Sequence, residues 1–84
     1  MEPGDLRAAA ARIRLLVLDV DGVLTDGRLL YDADGRESKS FHVRDGYGMQ
    51  QAMAAGVTLA VISGRRSPAA AARLAELQVA HVFL

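Results

Sequence analysis

The sequence contains no cysteine. Disulfides and thiolate-held metal sites are therefore excluded. It has no excess of charge of either sign: ten basic and ten acidic residues balance to a formal net charge of zero. With no basic cluster, neither a nucleic-acid-binding tail nor a polybasic membrane patch is expected. Long hydrophobic runs are missing too. The apolar stretches nearest the N-terminus, Ala8–Ala11 and Leu15–Leu18, are separated by arginines. They are too short for a signal peptide or a membrane span, so a cytoplasmic protein is the expectation. There are no internal repeats, no low-complexity linker, and only one lysine, Lys39.

What remains is a globular composition. The 84 residues are 51% hydrophobic, enough for one small domain with a modest core. Residues 5–11 read as a short helix with Asp5 as a possible N-cap. Residues 13–18 (IRLLVL) form a nearly continuous apolar run, which suits a strand buried on both faces, as in a parallel sheet. Residues 28–43 read as a projecting β-hairpin turning at Asp34-Gly35. Residues 45–55 are a helix candidate with Asp45 as cap and Gly56 as stop. Residues 57–62 (VTLAVI) form a second buried strand. Ser67 before Pro68 marks the start of a helix through 77, with Leu74 and Leu77 on its apolar stripe. Residues 81–84 begin a third strand. Buried strands alternating with helices imply an α/β fold with a parallel sheet and right-handed crossovers.

The chemistry is concentrated after the first strand, in DVDGVLTDG. Asp19 stands at the carboxyl end of that strand, where open α/β sheets bind ligands. Asp21 is two residues on. Two carboxylates this close repel unless a cation lies between them or one is protonated. A hard divalent ion with oxygen ligands is the simple solution, and magnesium held this way usually completes its shell with water and substrate phosphate. One carboxylate can then attack phosphorus while the other exchanges a proton with the leaving group and the attacking water. Gly22 allows backbone N–H groups close to phosphoryl oxygens. Ser63-Gly64-Arg65, straight after the second buried strand, offers a hydroxyl and an N–H for a phosphoryl oxygen, or is an ordinary strand-to-helix turn.

DVDGVLTDG together with ISGR resembles the haloacid dehalogenase superfamily of phosphatases. The longer stretch KSFHVRDGYGMQQAMAAGVTLAVISGR is similar to the 3-deoxy-D-manno-octulosonate 8-phosphate phosphatases of lipopolysaccharide synthesis. The resemblance covers residues 13–84. It implies a Rossmann-like parallel sheet with helices on both faces and a hairpin flap, and a cofactor, Mg²⁺. It implies that Asp19 is nucleophile and metal ligand, and that Asp21 is general acid/base and binds the metal through its carbonyl. Ser63 and Gly64 would hold the phosphoryl group. His42, Val43, Arg44, Asp45 and Gly46 would form a substrate-contacting segment, and Arg65 and Arg73 would face an acidic sugar. Gln50 falls where family members often carry arginine. Family members assemble as homotetramers in which the hairpin helps close a neighbour's site.

Simpler roles stand beside these. Arg44 and Asp45 suit the charge and cap of a helix start, Arg73 a solvated helix face, and His42, Phe41 and Tyr47 packing. The superfamily pattern also has a lysine after the third strand and an acidic pair after the fourth. Neither occurs here, and Lys39, in the hairpin, is not expected to substitute for that lysine. The chain is therefore expected to be a fragment, truncated after the third core strand, with an open apolar edge along LLVL and little activity alone. The alternatives are a non-catalytic remnant that binds partners, a phosphatase-like domain of a sialic-acid cytidylyltransferase, and a receiver-like domain. Receivers place their phosphorylated aspartate after a later strand.

Overall fold

The computed structural model describes residues 2–84. The chain runs α1 (Pro3–Ala11), β1 (Leu15–Leu18), β2 (Leu30–Tyr31), β3 (Glu37–Ser38), α2 (Val43–Ala54), β4 (Thr58–Ile62), α3 (Pro68–Glu76) and β5 (His81–Phe83). Three strands form a parallel sheet in the order β1-β4-β5, and β2 and β3 pair as an antiparallel hairpin. This is the α/β architecture with a parallel sheet that the alternation of elements implies.

Strand register fixes which side chains share a face. Leu16 pairs with Leu59 and Leu18 with Val61, and Val61 pairs with Val82. Registered neighbours project to the same side, so these five residues line one face. Leu59 and Val61 on that face are buried against Met49 of α2 and Leu74 and Leu77 of α3, in one core cluster that also takes in Val20, Leu24, Ala70 and Val79. The topology explains this one-sidedness. Both crossovers step in the same direction across the sheet, and right-handed connections then lay both helices on the same face.

The opposite face carries Leu15, Val17, Ile62 and Phe83, all half or more exposed. Strand β1 is thus not buried on both faces, as its apolar run suggests. It also begins at Leu15 rather than residue 13, and its outer edge has no partner among the described residues. Helix α1 contributes no buried residue, and it starts at Pro3 with Glu2 in the N-cap position, leaving Asp5 in its first turn. With α1 and the hairpin projecting, the Cα radius of gyration is 14.7 Å. A compact chain of this length would have about 12 Å.

Helix ends follow local chemistry. Helix α2 begins at Val43, and its cap is His42, whose side chain accepts from the Arg44 N–H. Asp45, expected as the cap, instead lies in the first turn, where its charge suits the helix dipole. His42 therefore belongs to the helix start and not to an alternating strand. The helix ends in a Schellman arrangement: Gly56, at φ 96°, donates to Met53, and Val57 donates to Ala52. Ser67 accepts from the Ala70 N–H and caps α3, with Pro68 at its first turn.

Helix α3 closes in the same way, with Gln78 donating to Ala75 and Val79 to Leu74. Here Gln78 holds a φ of 60°, a left-handed conformation costly to a residue with a Cβ. Gln78→Gly is expected to stabilise the protein by about 0.5–1 kcal/mol, read as a higher urea midpoint. An unchanged or lower midpoint would contradict the strain.

Candidate active site

Because β1 and β4 are parallel neighbours, the loops leaving their carboxyl ends emerge side by side. The first carries Asp19 and Asp21, the second Ser63, Gly64 and Arg65.

The first loop is anchored from below. Val20 and Leu24 are buried in the core. The Val20 carbonyl accepts from the N–H groups of Val23, Leu24 and Thr25 at 3.2, 2.9 and 3.1 Å. The Thr25 hydroxyl accepts from Gly22 and Gly27, each at 3.2 Å. Both glycines have φ near 80°, which a side chain would resist. Two anchors and one hydroxyl thus pin a loop otherwise open to solvent. Asp19 is exposed at its start, with one carboxylate oxygen accepting from the Val20 N–H at 2.7 Å.

Asp21 is held differently. Lys39 Nζ lies 2.5 Å from Asp21 Oδ1 and 2.7 Å from Glu37 Oε1, with the lysine side chain only 2% exposed. Arg65 Nη2 lies 2.6 Å from Glu37 Oε2, and Arg65 Nε 3.9 Å from Asp21 Oδ2. Four charges from three segments close a ring. The hairpin places them: Tyr31 pairs with Glu37, and Glu37 and Lys39 are two apart, so all three face the same way. Arg65 also donates to the Tyr31 hydroxyl at 3.4 Å. Lys39, not expected to substitute for the superfamily's lysine, is at the site, on Asp21. The i, i+2 spacing of Glu37 and Lys39 was the available signal, but nothing in the sequence says which face of the hairpin turns inward.

The ring shapes its own electrostatics. Hydrogen bonds from Lys39 and then Arg65 hold the Glu37 carboxyl below its ordinary range. The bond to Asp21, then that to Glu37, hold the Lys39 ammonium above its ordinary value. The Tyr31 and Glu37 contacts push the Arg65 guanidinium up. For Glu37 the sign is clear: a carboxyl lowered on folding adds stability above its ordinary value of 4.5, and that stability is lost as the pH falls. The hairpin is therefore expected to detach in acid, seen as a shift of the Gly64 and Arg65 amide resonances, in the loop that Glu37 holds, with a midpoint below 4.5. Glu37→Gln should lack that transition. The same transition in the variant would assign it to another group.

Ser63 is partly buried. Its hydroxyl accepts from the Arg65 N–H at 3.2 Å, and its N–H donates to Phe83 at 2.9 Å. A second cluster lies at the start of α2, where Leu24, Phe41, His42, Asp45, Gly46 and Arg73 line one small cleft. At Gly46 a Cβ would stand 2.3 Å from Arg73 Nη2 and 3.0 Å from Leu77 Cδ2, so a side chain here would displace the ends of both. Arg73 is thus half-buried over Gly46 rather than on a solvated helix face. Val43 and Arg44 are exposed on the first turn of α2. Gln50 lines a separate shallow groove with Met53, Leu77 and Gln78. It is not brought to the Asp19 loop.

For a metal, the available donors are the Asp19 carboxylate and the Asp21 main-chain carbonyl, to which no backbone N–H donates among the described residues. Lys39 takes Asp21 Oδ1 and Arg65 lies 3.9 Å from Oδ2, so the carbonyl is the Asp21 oxygen without a charged side chain on it. Both are hard oxygens, the type magnesium takes. Among the described residues no group of three or more histidine or acidic side chains converges as a metal site, so the protein side of the shell is partial.

A parallel sheet whose first strand runs into paired aspartates, with a Ser-Gly-Arg loop at the end of the next strand, is the architecture of haloacid dehalogenase-like hydrolases. No protein-family model matches the chain. It is 53% identical over 72 residues to the 3-deoxy-D-manno-octulosonate 8-phosphate phosphatase of Haemophilus influenzae, covering 86% of this chain and 40% of that protein. The structure described as that phosphatase from Vibrio cholerae superposes with a TM-score of 0.92 at 42% identity, over 99% of this chain and 46% of the other. The Moraxella catarrhalis phosphatase, in complex with magnesium, phosphate and KDO, gives 0.90 at 38% identity, over 98% and 47%. By sequence and fold the chain is similar to part of the 3-deoxy-D-manno-octulosonate 8-phosphate phosphatases. It spans about two fifths of the length of the curated relatives it matches. No helix among the described residues is long and apolar enough to cross a membrane.

Proposed function

We propose that this chain carries the nucleophile half of a cytoplasmic, magnesium-dependent phosphatase acting on the phosphate monoester of an acidic sugar, 3-deoxy-D-manno-octulosonate 8-phosphate. One observation carries the reading: the paired-aspartate loop and the Ser63-Gly64-Arg65 loop emerge side by side, with Arg65 Nε 3.9 Å from Asp21 Oδ2.

Asp19 is the nucleophile, in support of which the residue is exposed and one of its carboxylate oxygens is oriented by the Val20 N–H. Its attack forms an O–P bond as the bond to the sugar oxygen breaks. Asp21 gives that oxygen a proton, then takes one from the water that cleaves the aspartyl-phosphate. Ser63 and the Gly64 N–H hold phosphoryl oxygens, and Arg65 and Arg73 face the sugar's carboxylate. The segment His42–Gly46 bounds the substrate side through the cleft it shares with Arg73. The Asp19 carboxylate and the Asp21 carbonyl would hold magnesium, which when bound would supply charge neutralisation to the phosphoryl group. In the assembled protein, a homotetramer, hairpins border the sites.

The test is phosphate release from the octulosonate 8-phosphate and from a nonulosonate 9-phosphate, with magnesium and with chelator, by the protein as its gene encodes it. Magnesium-dependent release favouring the eight-carbon substrate supports the reading. Preference for the nine-carbon substrate moves it to the sialic-acid branch. The exposed apolar edge of β1, with Leu15, Leu16 and Val17, favours a second reading, a module that binds a partner. Stable purification with one protein and no turnover on either substrate would support that instead.

A further inference from the structure

The hairpin arm as far as Ser40 adds no side chain to the core: none of residues 26–40 is buried in it, and Phe41, just beyond, is the first to pack there. Leu29, Leu30 and Tyr31 are all more than half exposed, and β2 and β3 share only two residue pairs. Its turn is closed internally, with Asp32 accepting from the N–H groups of Asp34 and Arg36 at 2.9 Å each. What fastens this arm to the sheet end is polar. Lys39 reaches the β1 loop, and Glu37 and Tyr31 take Arg65 of the β4 loop.

We propose that Glu37 and Lys39 are positioning residues, a strut by which the chain's own hairpin sets the Asp21 loop against the Arg65 loop. The inference rests on the roles given above to Asp21 and Arg65. Each strut residue bonds twice. The Lys39 ammonium bridges Asp21 and Glu37, and the two Glu37 oxygens divide between Lys39 and Arg65. The lysine is desolvated, so its bonds are strong and costly to leave unmade. The Asp21 and Arg65 side chains come no closer than 3.9 Å, a weak contact without the strut. The two residues hold different targets. Lys39 touches the group that moves the proton, and Glu37 touches the group that faces the substrate anion.

That division gives the test, made on the protein as its gene encodes it with Lys39→Met and Glu37→Gln. Hydrogen exchange without magnesium or substrate is measured first. Amides of the two braced loops, Gly22 and Arg65, whose N–H groups bond to Thr25 and Ser63, are expected to lose protection in both variants, while α3 amides keep theirs and report an intact fold. Retained protection in both loops would overturn the strut whatever the kinetics. On the octulosonate 8-phosphate, Lys39→Met is expected to lower kcat about 100-fold with KM nearly unchanged. Glu37→Gln is expected to raise KM about three- to tenfold with kcat nearly kept. Equal effects of both variants on kcat and KM would reduce the pair to a structural tether and overturn the positioning role. If Lys39→Met does not fold, Glu37→Gln, a neutral isostere at a side chain 17% exposed, carries both readouts. Should the unaltered protein fail to release phosphate, the functional reading falls, while the exchange result still decides the strut.

Discussion

Asp19→Asn is expected to abolish phosphate release, lowering turnover by about 10⁴-fold or more, while leaving the urea midpoint unchanged. The amide keeps the shape of the carboxylate and can still accept the Val20 N–H bond at 2.7 Å. What it loses is the charge and the nucleophilic oxygen, on an exposed side chain that takes no part in the core. Asp21→Asn should behave differently. It removes proton transfer, a loss of about 10²–10⁴-fold, and also takes the ion pair from the buried Lys39 ammonium, so both turnover and stability fall. Comparing the two variants separates chemistry from scaffold. The decisive measurement is single-turnover phosphate release at saturating magnesium and substrate, beside urea unfolding of the same samples. Substantial turnover by Asp19→Asn would remove Asp19 as the nucleophile.

Leu74→Ala is expected to give the largest loss of stability, about 2–5 kcal/mol. Leu74 is 1% exposed and sits on the only apolar stripe of α3, between Ala70 and Leu77. With both crossover helices on one face, that stripe meets Leu59 and Val61, with no second layer among the described residues to share the load. The loss should reach the site as well. Helix α3 starts at the Ser67 cap, directly after the Ser63-Gly64-Arg65 loop, and its Arg73 covers Gly46. Loosening the helix frees both. A fall in the urea midpoint worth under about 1 kcal/mol would show that α3 packs less tightly than its burial implies.

Much of the fold was legible in the sequence because local rules act on neighbours. The apolar run VTLAVI became a strand with its centre buried. Ser67 before Pro68 capped α3, and Gly56 stopped α2 through a positive φ. Asp34-Gly35 turned the hairpin, with Asp32 as an added brace the spacing did not reveal. Where local signals competed, reading them in isolation failed. Asp45 has the chemistry of a cap, yet His42 took that position because its ring nitrogen reaches the Arg44 N–H. The run IRLLVL has the composition of a doubly buried strand, but burial depends on what lies over it, and both helices went to the other side of the sheet.

The sequence alone determined the chemistry on offer: two aspartates after an apolar strand, a Ser-Gly-Arg after another, and no cysteine or charge excess to point elsewhere. These are properties of residue type and short spacing, set by the next few bonds along the chain. The tertiary structure decided which distant residues share the site. It brought Lys39 onto Asp21 and Glu37 onto Arg65, and set Arg73 over Gly46 while leaving Gln50 in another groove. Those contacts join positions 18 to 28 residues apart. They follow from strand register and the hand of the crossovers, which exist only once the chain has folded back on itself.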